Sequence, residues 1–237
     1  MTALLSSAAW ATGTAYGTAL WAIIRYGKRR AGTPSLGPAD FVTLARAILA
    51  GAVTVLVVDG LVRGTEVAAL TSVAACALVL DAVDGQVARR TGTSSAFGAR
   101  FDMEADAYLI LVLSVYLSWS LGPWVLAIGL MRYAFVAASW ALPWLRGELP
   151  PSRARKVVAA AQGIVLVVAT SGTVPRPLAI AAVGGALAAL TWSFGRDIAW
   201  LWRNARRPAT SKRAATRRAA SGRAFRRRLA AVLEPGR

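Results

Sequence analysis

DAVDGQVARRTGTSSAFGARFDMEAD, residues 81–106, contains Asp81-x2-Asp84-Gly85-x2-Ala88-Arg89-x8-Gly98-x3-Asp102-x3-Asp106. Five of the chain's 11 acidic residues fall in this stretch, the fifth being Glu104. The surrounding sequence is apolar. A carboxylate placed in hydrocarbon costs roughly 2.5–3.5 kcal/mol on insertion scales, so a cluster of them points to function. Asp81 and Asp84 are spaced i, i+3 and Asp102 and Asp106 i, i+4, which puts each pair on one face of a helix. Two such faces meeting form a carboxylate box that repels itself unless cations fill it. Oxygen-only ligands favour hard ions such as Mg²⁺, Mn²⁺ or Ca²⁺.

The rest of the composition agrees with a membrane setting. Of 237 residues 56% are hydrophobic, and the mean hydropathy is +0.50. Apolar runs are long enough to span a bilayer. There is no histidine, so imidazole catalysis, His-ligated zinc and His-based pH switching are excluded. A general base here has to be a carboxylate or, less simply, Lys, Tyr or Cys. Cys76 is the only cysteine, which rules out an internal disulfide framework and a thiolate cage.

Residues 3–24 are apolar, with the positive charges Arg25, Lys28, Arg29 and Arg30 after them rather than before. This order suits an anchoring span with an outside N-terminus better than a cleaved signal peptide. Further apolar segments run at about 41–61, 66–83, 101–121, 124–145, 157–172 and 177–196. Lys and Arg gather in loops 25–40, 85–100 and 146–156 and in the tail, which the positive-inside rule places in the cytoplasm. Asp81 and Asp84 end one span, and Asp102 and Asp106 begin the next. The two halves of the cluster should therefore face each other at the cytoplasmic surface, where lipid headgroups lie. Trp119, Trp124, Trp140, Trp144, Trp192, Trp200 and Trp202 fall near predicted span ends, as in an interfacial belt. The expected organisation is an anchor span over 1–31, a membrane core over 32–200 and a basic cytoplasmic tail over 201–237.

A carboxylate pair on each of two helices can hold two divalent ions about 3.5–4 Å apart, which suits displacement at the phosphorus of a diphosphate. Arg89 can fork onto a phosphate oxygen. Gly85, Ala88 and Gly98 lack bulk, so backbone and ligand can approach closely. These residues alone point to a membrane enzyme acting on a diphosphate at the cytoplasmic face.

The whole string resembles the signature of the CDP-alcohol phosphotransferases, D-x2-D-G-x2-A-R-x8-G-x3-D-x3-D, at all eight specified positions and every spacer. The resemblance implies an all-α polytopic membrane fold of six helices over roughly residues 35–198, here with one extra N-terminal span. It implies transfer of the phosphatidyl group of CDP-diacylglycerol to an alcohol with release of CMP, dependent on two Mg²⁺ or Mn²⁺ ions. Carried over, Asp81, Asp84, Asp102 and Asp106 surround the metals, and Asp106 is also the base that takes the acceptor's proton. Gly85, Ala88, Arg89 and Gly98 line the CDP site. The family's preceding helix often carries N-x2-T-x2-R. This chain reads Asp40-x2-Thr43-x2-Arg46, with Asp in place of Asn, and Thr43 and Arg46 are assigned to the CDP pocket. Relatives of this fold often pair as dimers, so a homodimer is implied by the resemblance alone.

The acceptor is read from weaker cues. Arg132 lies inside an apolar span, and Lys156 stands six residues before Gln162. Both features are similar to phosphatidylglycerolphosphate synthases and favour glycerol phosphate. Phosphatidylglycerol, or inositol phosphate held by Arg153, Arg155 and Lys156, are the alternatives. Each of these residues also has a plainer reading. Arg132 also reads as a structural ion pair, Arg153, Arg155 and Lys156 as topology determinants, and Gln162 as helix packing. For the cluster itself the plainer reading is a salt-bridge network joining the four carboxylates and Arg89 to Arg46, Arg90 and Arg100. Glu104, two residues from each neighbouring Asp, points off their shared face and reads as solvated or paired.

From Arg203 onward twelve residues are Lys or Arg against the single acidic Glu234. Each basic residue near an anionic lipid surface is worth about 1 kcal/mol. With Phe225 as the tail's only aromatic, base stacking is poorly served, so lipid is favoured over nucleic acid. Two other functional classes share acidic motifs. An intramembrane prenyltransferase separates its Asp motifs widely, whereas here they share one hairpin. A membrane cation transporter places carboxylates near mid-membrane and needs neither Gly85 nor Arg89.

Overall fold

The computed structural model describes residues 5–31, 38–91, 96–147 and 149–206, with side chains described except at 27–31, 38–41, 82–91 and 96–100. Among the described residues it is all-α, with no strand. The helices are α1 (Ser7–Ala31), α2 (Pro38–Arg63), α3 (Val67–Thr91), α4 (Ala96–Leu121), α5 (Leu126–Ala141), α6 (Arg153–Thr170) and α7 (Arg176–Ala205). Short 3-10 turns at Pro123–Val125 and Pro143–Arg146 bracket α5, each opened by a proline that cannot continue the preceding helix. The expected apolar segments all fall on helices. Several helices run beyond them, because apolar length tracks the bilayer while residues such as Gln, Ala and Arg sustain helix outside it.

Among the described residues, four helical stretches are long and apolar enough to cross a membrane: Val42–Arg63, Phe101–Leu121, Pro123–Ala141 and Arg176–Ala205. Val67–Asp81 is a shorter apolar stretch. The sequence reading expected seven spans. α1 is diluted by Thr, Gly, Ser, Tyr and Trp, and α6 opens on Arg153, Arg155 and Lys156, so both fall short on composition. The chain is an all-α polytopic membrane protein. Its outward faces fit lipid. Ile48, Leu61, Val79, Leu130, Ile164 and Leu178 are all about half exposed or more, an apolar surface that water would not tolerate. Hydroxyls on the helices bond back to their own backbone, as Thr54 does to the Ala50 carbonyl (2.9 Å) and Thr191 to Leu187 (2.8 Å), which satisfies them without water.

The chain divides into two compact units, Met1–Ala137 with Ser152–Ser193 and Ala138–Pro151 with Phe194–Arg237. In the first, α2 packs on α3 and α4, and α6 packs on α3 and α4, closing a ring of four helices; α1 lies against α2. The core is Ala47, Ala50, Val53 and Val57 of α2, Leu70, Ala74 and Ala77 of α3, Leu113 and Leu117 of α4, and Leu166 of α6. The i, i+3, i+4, i+7 spacing makes these one stripe per helix. Small residues set the close approaches. A Cβ at Gly163 would lie 2.7 Å from Leu78 of α3, and one at Gly129 2.6 Å from the Leu111 Cα of α4. In the second unit Leu145 and Leu201 are buried, and Arg146 Nε donates to the Ser139 carbonyl at 2.8 Å.

The turn after α4 and the turn after α6 line one shallow cleft, through Ser120 and Leu121 on one side and Gly172 to Arg176 on the other. The start of α4, the end of α3 and the start of α6 therefore lie at the opposite end of the first unit.

Candidate active site

Arg46 stands on the third turn of α2 and is 3% exposed. A guanidinium so buried in an apolar helix needs anionic partners, and it finds three. Its Nη2 lies 3.0 Å from Asp81 Oδ1, at the end of the apolar stretch of α3, and also pairs with Asp106 Oδ1, while Nη1 pairs with Asp102 Oδ1. The three carboxylates come from the second half of α3 and the first half of α4, where the apolar stretch Val67–Asp81 ends and the span Phe101–Leu121 begins, so the two helices bring their acidic faces together. Ligand oxygens of Asp81, Asp102 and Asp106 all lie within 4.8 Å of one another.

Exposure within the cluster is graded. The cation is buried, while the Asp81, Asp102 and Asp106 side chains are 40, 33 and 42% exposed. Arg46 forms the floor and the carboxylates form the mouth. Arg46 pairs with the Oδ1 atom of each, so one guanidinium is shared among three carboxylates. An all-oxygen donor set at this spacing fits a hard divalent ion.

Asp84, Gly85, Ala88, Arg89 and Gly98 belong to the same hairpin, and their side chains lie outside the described residues. So does the side chain of Asp40. Thr43, one turn before Arg46 on α2, is 3% exposed. The reading of Arg46 as a CDP-pocket residue did not anticipate its place as the common partner of three carboxylates. The plainer salt-bridge reading named Arg46 among three partners, and the signal for it was the cost of an arginine in an apolar run.

The residues read as acceptor-binding are spread over α5 and α6. Arg132 of α5 is one-third exposed, and its Nη2 donates to Glu104 Oε1 at 2.5 Å. Glu104 sits between Asp102 and Asp106 on α4, so this pair puts the α5 cation beside the carboxylate stretch but binds it to the off-face acid. Sequence spacing alone gave no means of naming Arg132 as the partner of Glu104. Arg153, Arg155 and Lys156 open α6 at the cluster's end of the unit. Cations on the positive end of a helix are each unfavourable by about 0.3–1 kcal/mol, which an incoming anion would relieve. Gln162 is 6% exposed, and its Nε2 has no partner among the described residues. It lies two turns into α6, within the helix packing. The basic tail lies outside the described residues from 207 onward.

Comparison with curated proteins and with solved structures finds no match. The sequence profile of the CDP-alcohol phosphatidyltransferase domain matches residues 37–195, a stretch that holds the four-helix ring, Arg46 and the three clustered carboxylates. Two-thirds of the chain is thus aligned with one family over the region that builds the acidic cluster, and the chain belongs to the CDP-alcohol phosphatidyltransferase family.

Proposed function

We propose that this protein transfers the phosphatidyl group of CDP-diacylglycerol to glycerol phosphate, releasing CMP, at the cytoplasmic face of the membrane. The family supports phosphatidyl transfer in phospholipid synthesis, and it is generally dependent on a divalent metal. The observation that carries the reading is the convergence of Asp81, Asp102 and Asp106 at the end of the helix ring, half open to solvent above a buried Arg46. In this reading Asp81, Asp84, Asp102 and Asp106 hold Mg²⁺ or Mn²⁺, one or two ions. Bound there, the ion would neutralise the diphosphate and the departing CMP. Arg46 fixes three of the carboxylates from below, so that their open sides face the donor. Arg89, Gly85, Ala88, Gly98 and Thr43 shape the CDP pocket.

Asp106 takes the proton from the acceptor hydroxyl as its oxygen attacks the β-phosphorus of CDP-diacylglycerol. The new P–O bond forms as the bond to CMP breaks, and CMP leaves with the electron pair. The cations at the start of α6, Arg153, Arg155 and Lys156, with Arg132 across on α5, supply positive charge for an acceptor phosphate. That arrangement favours a phosphorylated acceptor such as glycerol phosphate or inositol phosphate. Gln162, buried and short of a partner, is better placed for helix packing than for acceptor binding. A cation-transport reading is less well supported, since Asp81 closes the apolar stretch Val67–Asp81 and Asp102 opens the span Phe101–Leu121, at the edge of the apolar segments rather than at their middle. The Lys and Arg distribution supports an active site and a basic tail on the cytoplasmic side, where the tail would lie on anionic lipid. The N-terminal helix over 1–31 and the tail over 201–237 flank the core.

The test is CMP release by the purified protein from CDP-diacylglycerol with Mg²⁺, across glycerol 3-phosphate, inositol phosphate, phosphatidylglycerol, serine and no acceptor. Release dependent on glycerol 3-phosphate is expected. Release dependent on another alcohol corrects the acceptor, and release with none removes the transferase reading.

A further inference from the structure

We propose that α1 is a working part of the site rather than a lipid anchor alone, and that Tyr16 is the positioning residue through which it acts. The inference rests on the cluster reading above, because what Tyr16 positions are the turns of α2 and α4 that carry Arg46 and Asp106. α1 lies outside the region matched by the family profile.

An anchor needs only length and apolar surface. α1 instead makes a register of specific contacts with α2. Ser6, whose Oγ caps α1 by accepting the Ala9 N–H at 3.2 Å, donates its own N–H to Asp59 Oδ1 at 2.7 Å. Gly13 faces Val55, where an added Cβ would meet it at 3.3 Å. Tyr16 reaches Ala47 and Gly51. As the α1 number rises the α2 number falls, so the two helices run antiparallel. Positions 6, 9, 13 and 16 form one stripe, with Ala9 fully buried, while Trp10 and Trp21 on other faces are 58 and 61% exposed.

Tyr16 closes this stripe at the level of the site. Its hydroxyl donates to the Ala47 carbonyl at 2.7 Å, directly after Arg46 in the chain. The ring lies over Gly51, where any Cβ would collide with it. The same ring packs on Tyr108 of α4, centroids 5.4 Å apart and tilted by 32°. The Tyr108 hydroxyl in turn shares a hydrogen bond with Thr54 of α2 at 2.9 Å. Tyr108 stands two residues beyond Asp106. One side chain from α1 therefore ties the Arg46 turn of α2 to the Asp106 turn of α4. In an apolar surrounding, a phenol hydroxyl has few alternative partners, so the bond holds its register.

The experiment compares purified full-length wild type, Tyr16→Phe and Thr18→Val. The last is a control on α1 whose hydroxyl bonds only to α1 carbonyls. Hydrogen–deuterium exchange is read over 43–51 and 102–109, with 178–190 as internal reference. CMP release is measured as a function of Mg²⁺. In Tyr16→Phe, exchange should quicken severalfold in the first two segments and not in the third. The maximal rate should fall about tenfold, within the hundredfold that ~1 Å of misplacement can cost. The Mg²⁺ concentration giving half-maximal rate should rise severalfold. Loss of folded protein alone would lower the rate without moving that concentration. Thr18→Val should match wild type. Unchanged exchange at 43–51 overturns the proposal whether or not CMP is released. Faster exchange with an unchanged rate and unchanged Mg²⁺ dependence overturns the link to the site. A wild type that releases no CMP overturns the proposed function instead, and exchange at 43–51 and 102–109 then judges the positioning by itself.

Discussion

Replacing Arg46 by Gln tests the floor of the cluster directly. The substitution keeps a polar but shorter side chain and removes the one charge that three carboxylates share. Stripping one partner from a fully buried ion pair costs about 3–5 kcal/mol, because a charge is left unpaired in low dielectric. Here the charge removed is the buried one, 3% exposed. The carboxylates left behind are 33–42% exposed, so water screens much of their mutual repulsion. The expected loss is accordingly about 1–3 kcal/mol. For a chain of this size that lowers the unfolding midpoint by roughly 2–12 °C. Divalent cation should return much of it, because carboxylates freed of Arg46 hold a cation more tightly than the arginine-paired set does, and a ligand at a hundred times its Kd adds about 2.7 kcal/mol. The assay is thermal unfolding of the purified protein in detergent, wild type against Arg46→Gln, in chelator and in millimolar Mg²⁺. The variant should fall well below wild type in chelator, and the gap should narrow in Mg²⁺. A midpoint in chelator within about a degree of wild type would refute the shared-partner geometry. An unchanged gap in Mg²⁺ would refute the assignment of the same carboxylates to metal.

Other consequences follow from the same geometry. Asp106→Asn should abolish CMP release while CDP binding, followed by calorimetry, stays near wild type; full activity would remove the base assignment. Chelation should stop CMP release, and Mg²⁺ or Mn²⁺ should restore it, whereas release that persists through exhaustive chelation excludes metal dependence. Gly129→Ala drives a methyl group to within 2.6 Å of the Leu111 Cα, so overpacking should cost about 1–3 kcal/mol, read as a lowered unfolding midpoint. Glu104→Gln removes an ion pair that is more than half exposed on the acid side, and stability should change by under about 1 kcal/mol. If Arg132 serves the acceptor phosphate, the same variant should alter the acceptor KM more than kcat, and equal effects on both would count against that role.

The sequence alone determined the class of protein. Carboxylates are costly in an apolar chain, so a run that keeps four of them at helical spacing beside Gly85, Ala88, Arg89 and Gly98 is legible without coordinates. The apolar segments marked the helices for the same reason, since hydrocarbon admits only backbone that satisfies itself. Spacing also told that Asp102 and Asp106 share a face. It did not tell which face of which other helix they meet, because that depends on how closely helices approach. Small residues such as Gly51, Gly129 and Gly163 set those approaches, and their effect lies between helices rather than along one. Tertiary structure therefore decided that Arg46, 56 residues from Asp102, sits beneath the carboxylates, and that Arg132 is taken by Glu104. It also decided that α1, read from sequence as an anchor, is keyed to α2 through Ser6, Gly13 and Tyr16. A hydrogen bond from a tyrosine to a backbone carbonyl leaves no trace in the sequence, since every residue carries that acceptor and only packing selects Ala47.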